Sequence, residues 1–419
     1  MIITILSDSC FICTGYSDQM KRLAMYLTEQ GHEVHYLANA YMGQPIKNAE
    51  LFDGTKFNFK IYGPKVFGDN YFSRQISQHL KETKSDIFII LLDTFMLHGD
   101  PHNPNGWFLG IDTSPAKTIF WYPSDGGGGL PKHCEKILMK CDKTVAMSKF
   151  AQKQVKDYYN LNTDYLPLAT DPRRFYRFDD EKRNELRKKW NLDGKFVIGS
   201  VFRNQPRKNP DKYIKTFAKL KDRIPNAILL LHTDPSDVAA PIDIIAQARK
   251  YNVENRVRFT GMSAMKGFDW NKMNEVYNLF DVFYLPTSGE GFGIPIIEAM
   301  SCQVPVVATS YTTTPELIEE NKCGYGIKLA GTIKRELFEM SSKEYDLNVD
   351  NGTILGGGWE VERGLIDIED AADKIVELSK DSNLCKEMGS NGRNAVLNKY
   401  VFEEHVGKPF IKMFEELIK

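Results

Sequence analysis

The stretch that most constrains the fold of this chain is residues 288–300, Ser-Gly-Glu-Gly-Phe-Gly-Ile-Pro-Ile-Ile-Glu-Ala-Met. It follows the apolar run 281–286, which is typical of a buried strand, and its glycines predict a loop. Pro295 suits the first turn of a helix because its ring presets the helical φ angle. The pattern therefore predicts a strand, a loop and a helix whose unpaired N–H groups favour an anion at the carboxyl edge of a sheet.

Two carboxylates bracket this loop, Glu290 before the helix and Glu298 inside its predicted first turn. Helical side chains lean toward the helix N-terminus, so we expect Glu298 to point at the same ligand as the loop. A carboxylate only accepts hydrogen bonds, which suits the adjacent hydroxyls of a ribose or hexose. The alternative is ordinary complementation of the helix dipole by an acidic side chain.

The spacing of Glu290 and Glu298, followed by Val-Pro-Val-Val-Ala-Thr at 304–309 and Pro-Glu-Leu-Ile at 315–318, closely resembles the E-x7-E region of one large family. This family is the retaining glycosyltransferases of family 4, the glycosyl transferases group 1, which have the two-domain GT-B fold. Gln303 departs from the family, which usually has glycine at that point. It lies beyond the ligand contacts.

The resemblance assigns roles to individual residues of the stretch. It implies that Glu290 contacts the donor sugar and that Glu298 holds the nucleotide ribose. The backbone amides of Gly291, Phe292 and Gly293 are implied to contact the sugar and the diphosphate.

A second group of polar residues follows the predicted strand 196–202. Arg203 and Lys208 are expected at the carboxyl edge of the sheet, where α/β folds bind ligands and where cations suit a diphosphate. The resemblance implies that an Arg and a Lys of this loop neutralise the leaving group of the donor, and Arg207 is a further candidate because the family spacing varies. Asn209 is expected to cap the next helix. The alternative is a set of surface cations in salt bridges.

The first loop of the chain lies between a predicted strand at 1–6 and a helix expected to be capped by Ser17. The resemblance implies that Gly15 lets the backbone approach the donor phosphates or the acceptor, and the alternative is an ordinary loop glycine. Cys10 and Cys13 form a C-x-x-C pair in this loop, but no second pair at matching spacing completes a metal site. Two small residues in a tight loop is the favoured interpretation.

The predicted strand 117–122 ends in Asp125 and four glycines at 126–129. No Gly-Lys-Ser/Thr follows, so the glycines indicate a flexible cradle and not a P-loop. Many relatives place a histidine near the end of this strand, close to the reacting carbon, whereas this chain offers Asp125, with His133 farther on. Asp125 is a candidate for orienting the acceptor hydroxyl, and the alternative is that it caps its own loop.

Aromatic residues crowd the segment 41–72, a long loop of the kind that is usually functional or partly disordered. A separate group of Phe95, His98, His102 and Trp107 crowds the loop behind the predicted strand 86–92. Sugars stack on aromatic faces, so an acceptor site is one interpretation. Ordinary packing of a long loop is the favoured one.

Composition limits the function classes. The 419 residues suffice for two or three domains, and a net charge of −1 gives no whole-molecule attraction to nucleic acid or an anionic membrane. No apolar run approaches the ~18 residues of a membrane helix, although a peripheral membrane contact stays open. Seven cysteines, an odd number, indicate reduced thiols. The apolar run 1–6 is too short for a signal peptide and has no basic residues before it, so we expect a cytoplasmic protein.

Strands and helices alternate on both sides of a hinge near residues 169–171. With the resemblance, this predicts an α/β protein of GT-B type, with two doubly wound Rossmann-like domains facing across a cleft. We expect an N-terminal acceptor domain at 1–170, joined by a C-terminal helix at about 403–419, and a nucleotide-sugar donor domain at 171–402. The resemblance places the nucleotide base near Met262, and the insertion-like segment 330–364 is interpreted as a hairpin or flap.

The function implied is a retaining glycosyltransferase that moves a hexose from a GDP- or UDP-linked sugar to a hydroxyl of a glycan or other acceptor, in glycan or glycoconjugate synthesis. The candidate catalytic residues are Glu290, Arg203, Lys208 and Asp125. Preorganised cations and backbone donors can stabilise a departing diphosphate without a metal, and the chain has no Asp-x-Asp motif. We therefore expect no cofactor and no nucleic-acid partner. In the family, the leaving phosphate takes the acceptor proton on the same face. The alternatives are a nucleotide-sugar 2-epimerase on the same fold and a non-catalytic sugar-nucleotide binding protein.

Overall fold

The computed structural model describes residues 1–50, 54–66, 69, 71–98, 106–128, 132–237, 242–262, 267–336 and 360–419. Within these ranges, the chain folds into two mainly parallel sheets, one after the other, each covered by helices. The predicted α/β class with two doubly wound sheets is confirmed.

The first sheet has eight strands among the described residues. They are β1 Ile2–Asp8, β2 Glu33–Asn39, β3 Ile46–Lys47, β4 Lys60–Tyr62, β5 Ile87–Ile90, β6 Lys117–Tyr122, β7 Lys143–Ala146 and β8 Asp164–Tyr165, in the order β3-β4-β2-β1-β5-β6-β7-β8. Its helices are α1 Gly15–Glu29, α2 Ile76–Thr83, α3 Thr94–His98, α4 Lys132–Lys140 and α5 Lys149–Tyr159. Only β3 pairs antiparallel, so the carboxyl ends of the other strands meet at one edge.

The second sheet follows helix α6 Asp180–Lys189 and has six strands among the described residues. They are β9 Phe196–Val201, β10 Ala227–His232, β11 Val257–Phe259, β12 Val282–Leu285, β13 Val306–Thr309 and β14 Gly324–Ile327, in the order β11-β10-β9-β12-β13-β14. The connecting helices are α7 Pro210–Leu220, α8 Ile244–Lys250, α9 Trp270–Leu279, α10 Ile294–Ser301 and α11 Thr314–Ile318.

After β14 the chain forms an antiparallel hairpin of β15 Leu329–Glu336 and β16 Glu360–Ile366, which matches the hairpin expected in the segment 330–364. The tip, with its Asn-Gly and Gly-Gly-Gly-Trp, lies outside the described residues. Helices α12 Ile368–Lys380, α13 Ser382–Lys399 and α14 Lys408–Ile418 complete the chain, with a π turn at Glu403–Gly407. Phe410 of α14 packs on Trp121 of β6 with ring centroids 5.3 Å apart, so the last helix crosses back to the first sheet.

Apolar spacing explains most elements, but two predicted caps are wrong. Helix α1 begins at Gly15, and the Thr14 hydroxyl, not Ser17, caps it by accepting a hydrogen bond from the Ser17 amide at 3.1 Å. Asn209 makes no side-chain cap for α7, since its amide donates to the carbonyl of Pro286 at 2.8 Å. At α1 the Thr14 hydroxyl takes the capping position, and at α7 the carbonyl of Pro286 takes the hydrogen bond of the Asn209 side chain.

The aromatic residues of the segment 41–72 belong largely to the core. Phe57 and Phe59 are buried and stack at 5.1 Å, and Tyr36 continues the stack. These buried rings therefore serve the packing of the core. Within the described part of the chain, we find no helix long and apolar enough to cross a bilayer.

Candidate active site

The loop between β12 and α10 is shaped by its glycines. Gly293 is the N-cap of α10 with φ of 105°, a conformation that an L side chain rarely adopts. The Phe292 ring is buried against Tyr400 at 6.0 Å, so this residue can offer a ligand only its backbone. A Cβ on Gly291 would lie 3.1 Å from Pro123 of the first domain, which shows how closely the loop faces the opposite sheet edge.

Glu290 is the centre of a buried ion cluster. Both of its carboxylate oxygens accept hydrogen bonds from the Lys208 ammonium, at 2.6 and 2.7 Å. A terminal nitrogen of Arg207 lies 3.2 Å from Oε2 of the same carboxylate. The backbone at Glu290 is also fixed, because the hydroxyls of Thr312 and Thr313 donate to its carbonyl at 3.0 and 2.9 Å.

The charges of this cluster support one another. Burial alone would raise the pKa of Glu290, but Lys208 and Arg207 outweigh it and hold the pKa below its usual range. Burial lowers the pKa of the Lys208 ammonium to about 8, even though Glu290 favours its charged form. Glu290 is therefore ionised at neutral pH, and Lys208 is largely protonated.

Asp125 extends the cluster across the cleft, the space between the carboxyl edges of the two sheets. Its carboxylate lies 3.0 Å from Nε of Arg207 and 3.1 Å from a terminal nitrogen of Arg363 in β16. These charges outweigh burial and lower the pKa of Asp125. The carboxylate thus bridges two arginines, which is a different use from the capping of its own loop. The side chain of His133 lies outside the described residues.

Arg203, Met262 and Gly15 are not part of this ion cluster. The Arg203 side chain is exposed, and its charge opposes only in part the burial that raises the pKa of Asp8. Met262 is partly buried, next to residues outside the description. Gly15 sits at the start of α1, where a Cβ would lie 2.9 Å from the side chain of Ile294. Gly15 therefore allows the first loop to touch the start of α10.

Glu298 occupies a different environment from Glu290. It is the fifth residue of α10, so it lies at the start of the second turn, and the prediction of a first-turn position is wrong by one residue. The Tyr277 hydroxyl donates to Oε2 of Glu298 at 2.6 Å. Burial raises the pKa of Glu298 to about 8, although the hydrogen bond from Tyr277 lowers it. The carboxyl group is therefore mostly neutral at pH 7 in the free protein.

Sequence reasoning missed three polar residues of this region. Tyr277 gave only an apolar helix pattern, and Arg363 lies in a hairpin whose docking no local pattern indicates. Asp93 follows β5 and accepts a hydrogen bond from the Tyr16 hydroxyl at 2.6 Å. Burial and the nearby Asp125 raise the pKa of Asp93 to about 6. Its position directly after a buried strand was the available signal.

The other candidates of the first domain serve packing. His98 is buried, and the Trp107 indole stacks on Tyr71 at 6.3 Å while its N–H donates to the carbonyl of Met96 at 2.8 Å. Cys10 is buried and Cys13 exposed, both as free thiols. Within the ranges that the structure describes, no three His, Cys, Asp or Glu residues are grouped as metal ligands.

Comparisons with known proteins find a similar family for part of this region. Residues 182–332 match the family model of glycosyl transferases group 1, which includes the loop with Arg207 and Lys208 and the whole of α10. A GDP-mannose-dependent alpha-(1-6)-phosphatidylinositol monomannoside mannosyltransferase of Mycobacterium tuberculosis is 30% identical over 168 residues, which cover 38% of this chain and 41% of that protein. A D-inositol 3-phosphate glycosyltransferase of Rhodococcus erythropolis is 27% identical, over 42% of this chain and 39% of the relative. The matched stretch thus spans about two fifths of these curated relatives.

Solved structures extend the likeness to the whole fold. Sucrose-phosphate synthase of Thermosynechococcus elongatus superposes with a TM-score of 0.72 at 16% identity, covering 100% of this chain and 99% of that one. A glycosyltransferase of Rickettsia africae superposes with a TM-score of 0.70 at 16% identity, covering 100% and 98% of the two chains. At this identity the likeness concerns the fold alone. The chain therefore has the GT-B fold, and its residues 182–332 are similar to the glycosyl transferases group 1.

Proposed function

We propose that this protein is a retaining glycosyltransferase that moves a hexose from a nucleotide diphosphate sugar to an acceptor hydroxyl. The observation that carries the proposal is the ion cluster of Glu290, Lys208 and Arg207 beside the N-terminus of α10. With Arg363, three cations face the two carboxylates of Glu290 and Asp125. The Arg207 and Lys208 cations next to the loop and the helix dipole both favour a diphosphate.

In this proposal, the loop from Gly291 to Gly293 and the side chains of Arg203, Arg207 and Lys208 stabilise the departing diphosphate. Glu290 stands ionised at the mouth of the loop, where a negative charge stabilises a sugar carbon that becomes cationic. The departing phosphate takes the proton of the acceptor hydroxyl on the same face, so the configuration is retained. Asp125 faces the cleft from the first domain, and we assign to it the orientation of the acceptor.

The proposal includes the finer expectations from the sequence. The first domain, residues 1–170 with the last helix, takes the acceptor, and residues 171–402 take the donor. GDP and UDP are the candidate nucleotides, and the GDP-mannose dependence of the mycobacterial relative favours testing GDP first. We also propose that no metal is needed, because Arg207 and Lys208 supply the positive charge that a metal ion would otherwise bring to the diphosphate. The seven free cysteines suit a cytoplasmic protein.

The test is to incubate the protein with a panel of GDP- and UDP-linked hexoses and to follow release of the nucleotide, with and without EDTA. We expect one or a few donors to release nucleotide and to raise the melting temperature, with the same rate in EDTA. Binding without any release, in the presence of a broad set of hydroxyl acceptors, would favour a non-catalytic sugar-nucleotide binding protein. Loss of turnover in EDTA that Mg²⁺ or Mn²⁺ restores would contradict the metal-free mechanism.

A further inference from the structure

The hairpin of β15 and β16 and the glycine run after β6 are two features that the proposed reaction does not use. In the structure they contact each other directly. The Gly127 amide donates to the carbonyl of Glu362 at 3.0 Å, and the Glu362 amide donates back to the carbonyl of Gly127 at 3.0 Å. This reciprocal pair makes Gly127 and Glu362 an antiparallel bridge between the first domain and the hairpin.

The glycines are needed for this contact because the hairpin, at Gly126, and Tyr311, at Gly127, lie where side chains would be. A Cβ on Gly126 would lie 2.0 Å from a methyl carbon of Val361, and a Cβ on Gly127 would lie 2.4 Å from the Tyr311 hydroxyl. Both distances are far below van der Waals contact. Gly126 and Gly127 therefore form a docking surface for β16, which accounts for a run of glycines that no phosphate-binding motif explains.

The same strand is also fastened to the second domain. The Gly364 amide donates to the carbonyl of Ser288, at the start of the loop that leads to Glu290, at 2.9 Å. The Tyr311 hydroxyl joins the two sides, since it accepts from the Gly127 amide at 3.1 Å and donates to the Glu362 carboxylate at 3.0 Å. Strand β16 thus spans the cleft beside the candidate active site.

Arg363 is the residue of β16 that enters the ion cluster. Its side chain is 3% exposed, and one of its terminal nitrogens contacts both the carbonyl oxygen and the carboxylate of Asp125. The other arginine on this carboxylate is Arg207, which also contacts Glu290. A charge-assisted contact of this kind fixes the direction of the carboxylate.

We propose that the β15–β16 hairpin is a clamp that holds the cleft closed on the glycine run, and that Arg363 is a positioning residue that holds Asp125 toward Arg207 and the donor loop. Without Arg363, Asp125 has a single cationic partner and the loop 125–128 loses one of its anchors to the second domain. The effect on transfer rests on the proposed function, whereas the docking of the hairpin does not.

The experiment compares the full-length wild type with Arg363→Met, Arg363→Lys and Gly126→Ala, with Thr332→Ala as a control on an exposed position of β15. Hydrogen exchange of a peptide that covers residues 123–128 is measured without any ligand. We expect exchange about tenfold faster in Arg363→Met and Gly126→Ala, a smaller increase in Arg363→Lys, and the wild-type rate in Thr332→Ala, with exchange of β9 and β12 unchanged throughout. Wild-type exchange in both Arg363→Met and Gly126→Ala would overturn the clamp, as would an equal increase in Thr332→Ala.

A second measurement separates positioning from general stability. In steady-state release of nucleotide from the donor identified above, Arg363→Met should lower kcat by about tenfold while the affinity for the free nucleoside diphosphate stays within about twofold. Arg363→Lys should recover part of the rate. Equal losses of kcat and of nucleotide affinity would overturn the positioning role. A wild type that binds nucleotide but turns over no donor would contradict the proposed function alone, because the exchange result still decides whether the hairpin docks.

Discussion

The two ends of the stretch 290–298 carry the same side chain in opposite environments. At the loop end, Glu290 is buried among cations, and its pKa is held below the usual range. At the helix end, Glu298 has only Tyr277 as a hydrogen-bond partner among the described residues, and burial raises its pKa to about 8. The motif therefore presents one ionised carboxylate and one mostly neutral carboxyl group at pH 7, and the environment, not the residue type, sets the difference.

This difference suggests a division of labour. A fixed negative charge is useful where positive charge develops during the reaction, which fits Glu290 beside the transferred sugar. A carboxyl group that is neutral when the site is empty becomes an acceptor for two hydroxyls only when it loses its proton, which fits Glu298 as a ribose contact that ionises upon binding. The predictions below test whether the two ends separate in this way.

The largest effect is expected for Glu290→Gln at the loop end. The substitution keeps the shape but removes the charge, so kcat should fall by about 100- to 1,000-fold at saturating donor. The measurement is release of nucleotide from the donor, with a thermal melt to verify folding. Glu415→Gln, an exposed carboxylate of α14, is the matched control and should behave as wild type. A kcat within about twofold of wild type would remove Glu290 from the reaction.

The next effect concerns Lys208, which contacts Glu290 at the loop end and which we propose also contacts the diphosphate. Lys208→Ala removes a charge-assisted contact of about 1.5–3 kcal/mol, so nucleoside diphosphate affinity and turnover should fall together by roughly 10- to 100-fold. Calorimetry with the free nucleotide measures the first and the release assay the second. Lys219→Ala is the control, because Lys219 lies in α7, the helix that follows the loop of Lys208, and is 54% exposed. Unchanged affinity in Lys208→Ala would show that the ammonium only neutralises Glu290.

A smaller effect is expected from the protonation of Glu298. Because its pKa is about 8 in the free protein, the group must lose a proton before it accepts two ribose hydroxyls below that pH. The ratio of wild-type to Glu298→Gln affinity for the nucleotide should therefore rise by about tenfold between pH 7 and 9 and then level off. Taking the ratio cancels the titration of Lys208 and of the nucleotide. A ratio independent of pH would argue against ionisation of Glu298 upon binding.

The smallest effect is on stability. A carboxyl group whose pKa is raised by folding, here from 4.5 to about 8, contributes stability that is fully present below the unfolded pKa and is lost as the pH rises through the folded one. The melting temperature of Glu298→Gln relative to wild type should therefore increase by about 1–3 °C from pH 5 to pH 8. Glu290 has a lowered pKa, so its contribution is lost as the pH falls, and Glu290→Gln should show its largest destabilisation near neutral pH. The same sign for both variants would contradict the opposite environments.

The sequence predicts the loop end of this stretch better than the helix end. Glu290, the glycines and Lys208 sit in short local patterns of strand, loop and helix, and such patterns place residues at a sheet edge without knowledge of distant contacts. The predicted turn of Glu298 was wrong by one position, because the helix follows a positive-φ glycine that can serve as loop or cap and the sequence does not fix which residue starts the helix. Its neutral state could not be predicted, since it depends on burial against another helix.

The contact between Arg363 and Asp125 across the cleft could not be predicted from the sequence, for a different reason. Arg363 contacts Asp125 from 238 positions away along the chain, and neither residue lies in a motif that names the other. The glycine run after β6 was visible, but its purpose depends on where a long hairpin docks. Long-range docking of an insertion follows from tertiary packing, which local spacing does not encode.

The most direct test of the separation is one calorimetric series with the free nucleoside diphosphate at pH 8, on wild type, Glu290→Gln and Glu298→Gln. Glu290 holds Lys208 and favours its charged form in the free protein, and in the complex the charge of the diphosphate takes over that role, so the affinity of Glu290→Gln should stay near wild type. Glu298→Gln should weaken binding by about tenfold, because an amide cannot accept from both ribose hydroxyls. Loss of nucleotide binding in Glu290→Gln, with wild-type affinity in Glu298→Gln, would reverse the assignment of the two carboxylates and contradict this account of the site.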